Sequence, residues 1–253
     1  MVTLRLLGTG TSQGVPVIGC DCDTCRSTDP RDKRLRVAAH IRSRNTSVVI
    51  DAGPDFRQQM LTNEINWLDA LLITHEHNDH VAGMDDLRTF CFKQRMVIPV
   101  FALPRVVTAI KKRFDYAFSE NPYPGVPRLD LQPIEPGKPF HIGELEILPI
   151  PILHGKLEIV GFRVGNIAYL TDVKTLPSEA YPMLEGLETL VISALQPGTH
   201  HSHLNLEEAL QEIKKIGPKE TYLTHLSHLF PPAAELASQL PSGVRLGVDG
   251  GLV

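Results

Sequence analysis

The sequence predicts an α/β fold in which sheets are covered by helices. Three observations carry this reading. Apolar runs only four to nine residues long recur through the chain, a length that favours strands over helices. Segments with helical periodicity and capping signals fall between them. Four of the runs end in Asp or Thr and then deliver a polar side chain: Asp51 after VVI, His75 after LLIT, Asp172 after AYLT and His225 after TYLT. In layered α/β folds, strand ends are where sites form.

The runs lie at residues 2–7, 47–50, 70–73, 97–102, 145–153, 160–164, 167–170, 190–194, 220–223 and 244–248. Gly165-Asn166 separates two of them and marks a tight hairpin. Asn205 is placed to cap a helix whose apolar positions are Leu206, Leu210, Ile213 and Ile216. Glu208 stands at the capping-box position, and Gly217-Pro218 ends the helix. A second helix is expected after Leu103, with Pro104 in its first turn, running toward Phe118. Val81-Ala82-Gly83 suits a helix start packed closely on a sheet. The segment 119–139 carries six prolines and is expected to be an ordered loop or a lid. No internal repeat or linker interrupts the chain, so residues 1–253 read as a single domain.

Composition bounds the function. The chain is 42% hydrophobic and 21% charged, which is ordinary for a globular protein. A formal net charge of −4 gives no global electrostatic case for nucleic acid, a local basic patch aside. No stretch approaches ~18 uninterrupted apolar residues, so no membrane span is expected. The start lacks the apolar core of a signal peptide, and a cytoplasmic location is expected. Three of the four cysteines crowd together as Cys20, Cys22 and Cys25. In a reducing compartment such a cluster suits a metal better than a disulfide. The 11 histidines are also clustered.

The densest cluster is THEHNDH, residues 74–80. Imidazole nitrogens and carboxylate oxygens are the usual ligands of zinc and similar ions. His75 and His77 are close enough to turn to one ion, while the adjacent Asp79 and His80 suit a second. A His-rich surface loop would not explain the apolar strand before it. Nor would it explain the further candidates downstream: His154 after LPIPIL, Asp172 and His225. Cys20-x-Cys22-x-x-Cys25 supplies three thiolates, one short of the usual structural zinc set. His228, in THLSH, is a candidate for the fourth ligand.

THEHNDH resembles the HxHxDH signature of the metallo-β-lactamase superfamily, and His154, Asp172 and His225 follow in the order of its remaining ligands. The resemblance runs from LGTG at residues 7–10 to Val-Asp-Gly at 248–250. It implies a four-layer αββα sandwich with a dinuclear metal site at the sheet edge. By that resemblance His75, His77 and His154 hold one ion, Asp79, His80 and His225 hold the other, and Asp172 bridges them. Asp51 matches an acid that orients a ligand histidine. GTSQGVPVIGCDCDTC, together with THLSH, His154-Gly-Lys156-Leu157 and the late Val-Asp-Gly, closely resembles the PhnP phosphodiesterases of carbon–phosphorus lyase operons. That group carries a Cys-x-Cys-x-x-Cys plus His zinc site. The tRNA 3′-processing endonucleases share the catalytic ligands. They usually add a long exosite arm, which is not evident here, and lack the cysteine cluster.

The expected activity is hydrolysis of a small phosphodiester, cyclic ones included, through a metal-bridging hydroxide. The alternatives are an RNA endonuclease of the tRNA 3′-processing type and a thioesterase or lactonase of the glyoxalase II kind. A metal sensor needs no open dinuclear site. Asp79 would bind its ion and orient the hydroxide. His203, matching a histidine near the PhnP active site, is the candidate proton donor, with His200 and His201 as neighbours that leave the choice open. Lys156 is a candidate phosphate contact. The cofactors implied are two catalytic divalent ions, zinc or manganese, and one structural zinc. The expected partner is a small phosphodiester, with nucleic acid not favoured and oligomeric state, a homodimer included, left open.

Overall fold

The computed structural model describes residues 2–253. Its first sheet holds β1 (Thr3–Gly8), β2 (Ala38–Arg42), β3 (Ser47–Ile50), β4 (Ala70–Leu72), β5 (Ile98–Ala102) and β6 (Leu129–Pro133), in that order across the sheet. The second holds β7 (Phe140–Ile142), β8 (Leu145–His154), β9 (Leu157–Val164), β10 (Ile167–Leu170), β11 (Thr189–Ser193), β12 (Glu220–Thr224) and β13 (Val244–Leu246), again in sequential order. Strands β3 to β6 are parallel, as are β10 to β13. Strand β9 is antiparallel to both β8 and β10, so those two run the same way. The ends of β8, β10 and β12 therefore share one edge of their sheet, as the ends of β3 and β4 do of theirs.

The packing follows from the apolar pattern. Leu4, Ile50 and Leu72 of the first sheet share a core cluster with Val160, Phe162 and Tyr169 of the second. That cluster also takes in Phe56, Phe90, Val106 and Ile110 from helices 56–62, 88–94 and 104–113. A second cluster joins Ile150, Leu170 and Ile192 to Ala209 and Leu236 of helices 206–216 and 233–239. Helices thus cover the outer side of each sheet, giving the αββα layering. Strands β3 and β4 are buried almost throughout, as parallel strands covered on both faces must be. Among the described residues no helix is long and apolar enough to cross a membrane.

The capped helix forms over Leu206–Ile216, with Asn205 and Glu208 exchanging hydrogen bonds and Gly217 left-handed at its end. The helix from Pro104 stops at Arg113, short of Phe118, and a 3₁₀ turn over Asp115–Ala117 follows. Two expectations are corrected. The proline-rich segment is not loop throughout, because β6 lies inside it. Strand β6 is an edge strand paired only with β5, where proline costs no ladder bond. The short helix near Gly83 does not start at Val81 but spans Asn78–Val81 within the histidine motif itself. Gly83 lets the turn after it lie flat on the loop after β3: a Cβ there would meet the Gly53 carbonyl oxygen at 2.1 Å.

Candidate metal centre

Five strand ends supply the centre. Asp51 follows β3, His75 and the 77–80 turn follow β4, His154 ends β8, Asp172 follows β10, and His225 follows β12. Asp51, Asp172 and His225 have φ of 65°, 55° and 58°, left-handed values that residues with a Cβ seldom adopt. Each sharp turn stops its strand and swings the side chain across the sheet edge, a local strain held by the fold around it.

Asp172 lies between two groups of ligands. Its Oδ1 is 3.4 Å from His80 Nε2 and 3.3 Å from His225 Nε2. Its Oδ2 is 3.9 Å from His75 Nε2 and 4.0 Å from His154 Nε2. Asp79 Oδ2 stands 3.3 Å from His80 Nε2, and His77 Nδ1 stands 2.9 Å from His75 Nε2. Two donors each ~2.0–2.1 Å from one tetrahedral ion are about 3.3 Å apart, so these spacings suit shared ions. His75, His77 and His154 form one close set, Asp79, His80, Asp172 and His225 another, and His203 also comes within reach of His154 and Asp172.

Hydrogen bonds fix which nitrogen each ring presents. Asp51, fully buried, accepts from His80 Nδ1 at 2.7 Å and from the Thr74 hydroxyl at 2.9 Å. The Thr74 hydroxyl in turn accepts from His75 Nδ1 at 3.0 Å. The carbonyl of Ser202 accepts from His154 Nδ1 at 2.7 Å. In all three rings this leaves Nε2 facing the cluster, the arrangement that metal-ligating histidines use.

The electrostatics call for a cation. Burial opposes the charge on Asp172, yet His225, His80 and His75 hold its carboxyl well below the usual range. Burial likewise opposes ionisation of Asp79, and His80 and His225 outweigh it. Burial pushes His75 well below its ordinary value, so it is a neutral donor. At His80 burial is overcome by Asp51, Asp172 and Asp79, which hold the ring well above its ordinary value. Positive charge therefore belongs at this point, and a divalent ion supplies it more fully than one imidazolium. His80 Nε2 and both ring nitrogens of His225 are buried without a hydrogen bond, which is costly unless they bind something.

Of the histidine trio, His203 is the one at the centre. It is buried, with Nδ1 3.9 Å from Asp172 Oδ2 and its ring 4.5 Å from that of His154. Burial, with His225 beside it, pushes its pKa down to about 2. His200 packs on its outer side, 5.1 Å from the His203 ring and 4.3 Å from that of His201, and neither joins a ligand set. Lys156 sits exposed on the turn just after His154. Three supporting residues were not among the sequence's candidates. Thr74 links His75 to Asp51, although it was visible as the first letter of the histidine motif. Lys174 Nζ donates to the His203 carbonyl at 3.3 Å and to both oxygens of Glu208 at 3.0 Å. Arg105 pairs with Glu76, between two of the histidines, and donates to the Glu158 carbonyl.

The cysteine cluster closes as a separate group. Cys20, Cys22, Cys25 and His228 place one donor atom each within 4.8 Å of one another. His228 Nδ1 is 3.2 Å from Cys20 Sγ and 3.6 Å from Cys22 Sγ. Backbone N–H groups of Val17 and Cys25 point at Cys25 Sγ and Cys22 Sγ, as they do at thiolates. Burial pushes the Cys25 thiol up to about 11, while hydrogen bonds from the Cys25 amide and His228 hold Cys22 down to about 7; a bound cation would favour the thiolate of both. The set fits the four-ligand demand of structural zinc.

Residues 46–226 match the β-lactamase superfamily domain, and with this sheet-edge centre the chain belongs to that superfamily of metal-dependent hydrolases. Within it the likeness is to PhnP. A crystal structure of a new diphosphatase from the PhnP family is 36% identical, with a TM-score of 0.93 over 100% of this chain and 96% of that one. An octanoyltransferase of Porphyromonas gingivalis is 43% identical over 247 residues, 97% of this chain but 50% of that protein, so the chain spans about half its length. The short form of human tRNase Z shares the fold, with a TM-score of 0.70 at 18% identity over 100% of this chain and 98% of that one.

Proposed function

We propose that the protein is a dinuclear phosphodiesterase acting on small phosphodiesters. The observation that carries this is Asp172, whose two oxygens face two separate ligand sets. His75, His77 and His154 would hold one ion, and Asp79, His80 and His225 the other. When bound, the ions supply an activated water at neutral pH and offset the charge on the phosphoryl oxygens. Zinc and manganese both suit these donors. Asp79 orients the attacking water. His203, 3.9 Å from Asp172, is the candidate to pass the leaving oxygen a proton released by the attacking water, since burial keeps the resting ring neutral. Lys156, exposed two residues after His154, would contact a phosphate oxygen. The likeness to a PhnP-family diphosphatase supports phosphorus as the electrophile. The octanoyltransferase of Porphyromonas gingivalis is matched over only half its length, so its activity is not carried to this chain.

The test is bis(p-nitrophenyl) phosphate against a thioester and a precursor tRNA, with metal content measured on the same sample. We expect turnover of the phosphodiester, lost by more than about tenfold in His77→Ala together with bound metal. Preference for the thioester or the tRNA would overturn the substrate class, and full activity in His77→Ala would overturn the ligand set.

A further inference from the structure

A cavity lies at the end of the first sheet opposite the metal centre. Strand β3 begins there at Ser47 and reaches the metal centre at Asp51, about 13 Å on at ~3.3 Å per residue. The cavity measures about 320 Å³, the lower end of the range for small-molecule sites. One wall is the outer face of β1 and β2. Thr3 pairs with Arg42 and Arg5 with His40, so these side chains alternate away from the core residues Leu4 and Ile41. The hairpin turn with Arg44 and the loop with Trp67 complete it.

Its chemistry is selective. Three guanidiniums face it in a chain whose net charge is −4. Among the described residues neither Arg42 nor Arg44 has a carboxylate partner, and Arg5 donates to the Gly250 carbonyl. Two carboxylates also line it. That of Asp69 is spent on structure, accepting from the Ser47 amide at 2.8 Å and from Trp67 Nε1 at 2.8 Å. That of Glu64 is exposed at the rim. The Asp69 bond fixes the indole, which is left 47% exposed as a platform. His40 is buried, and its neutral form is enforced by burial and by Arg42 and Arg5. Ser47 donates its hydroxyl to the Trp67 carbonyl, so it accepts from His40 Nε2 at 2.8 Å. His40 Nδ1 is thereby an acceptor with no partner among the described residues.

We propose that this cavity is a nucleotide site separate from the metal centre. Arg42 and Arg44 take the phosphate, the Trp67 indole stacks on the base, and His40 Nδ1 accepts from a sugar hydroxyl. Unpaired guanidiniums are suited to phosphate by their forked donors. A base on an aromatic side chain contributes through stacking that any base can provide. The assignment is independent of the reaction at the metal centre.

Trp67 is the chain's one tryptophan, so its fluorescence reports on this cavity alone. Adenosine 5′-monophosphate titrated into the metal-loaded protein should quench it saturably, and inorganic phosphate should compete without quenching. The double variant Arg42→Ala/Arg44→Ala should weaken binding by about tenfold or more, the loss of at least one charge-assisted contact. Its melting temperature and phosphodiesterase rate should stay at wild-type values. Both positions are exposed, so the substitution spares the core. His77→Ala should leave the quench intact. Three results overturn the proposal: no saturable quench, a quench equally strong in the double variant, or a quench that disappears with His77→Ala.

Discussion

Replacing Asp51 with Asn tests whether the ligand histidines are set from behind. The carboxylate touches no ion in the proposed scheme. It accepts from the Thr74 amide at 2.9 Å, from the Thr74 hydroxyl, and from His80 Nδ1 at 2.7 Å. Asparagine offers one acceptor oxygen where aspartate offers two. If that oxygen keeps the Thr74 amide, the new NH₂ faces His80 Nδ1–H, donor against donor. His80 then either loses a buried charge-assisted bond or moves its proton to Nε2, the nitrogen that faces Asp79 and Asp172. Losing such a bond costs about 1.5–3 kcal/mol, which is roughly 10- to 150-fold in metal affinity. The fold should tolerate the change, because a fully buried carboxylate is replaced by a neutral group of the same shape. The assay is zinc or manganese affinity by competition with a chromophoric chelator, beside the phosphodiesterase rate and the melting temperature of the metal-free protein. Metal affinity and rate equal to wild type would refute the orienting role. A collapse of the metal-free melting temperature would make Asp51 a structural residue instead.

Three further outcomes are expected. Cys22→Ser or His228→Ala should each lose one zinc per chain, lower the melting temperature and slow turnover, because only Leu226 and Ser227 separate His228 from His225; unchanged zinc content would remove the structural site. Arg105→Ala should weaken metal binding by roughly threefold, the scale of a partly exposed pair, since Arg105 restrains Glu76 between His75 and His77; isothermal titration with zinc reads this, and an unaltered affinity refutes the restraint. His40 falls from an ordinary value of 6.5 to about 4 through burial and the charges of Arg42 and Arg5. Between those values the unfolded chain binds more protons than the native one, so stability falls as pH drops from 6.5 to 4, by about 3 kcal/mol. His40→Gln should flatten that slope in urea unfolding at pH 4.5 against pH 7, and an unchanged slope would place the acid sensitivity elsewhere.

Much of the centre was legible because its ligands are tied to local pattern. Buried parallel strands are apolar runs, and a polar residue at the end of such a run has only the sheet edge to occupy. That logic places Asp51, His75, Asp172 and His225 from the sequence alone. The long regular strands were equally visible. Strands β2, β6 and β7 were not: β2 carries His40 within Ala-Ala-His-Ile-Arg, β6 sits among prolines that only an edge tolerates, and β7 is three residues long.

The sequence by itself determined which residue types can hold metal, that they fall into two sets of imidazoles and carboxylates and one of thiols, and which strands carry them. Only the tertiary structure decided how they share the work. That Asp172 turns one oxygen to each set depends on its left-handed backbone and on three other strands arriving at the same edge. The position of His203 beside Asp172, with His200 and His201 further out, depends on how Lys174 and the capped helix set one loop against β10. His228, already the sequence's candidate for the fourth place beside the cysteines, lies 203 residues beyond Cys25, and only the fold shows that the four donor atoms meet. Local pattern fixes identity and direction along one strand. Convergence in space is set by packing among strands far apart in the chain, so it cannot be read from any one of them.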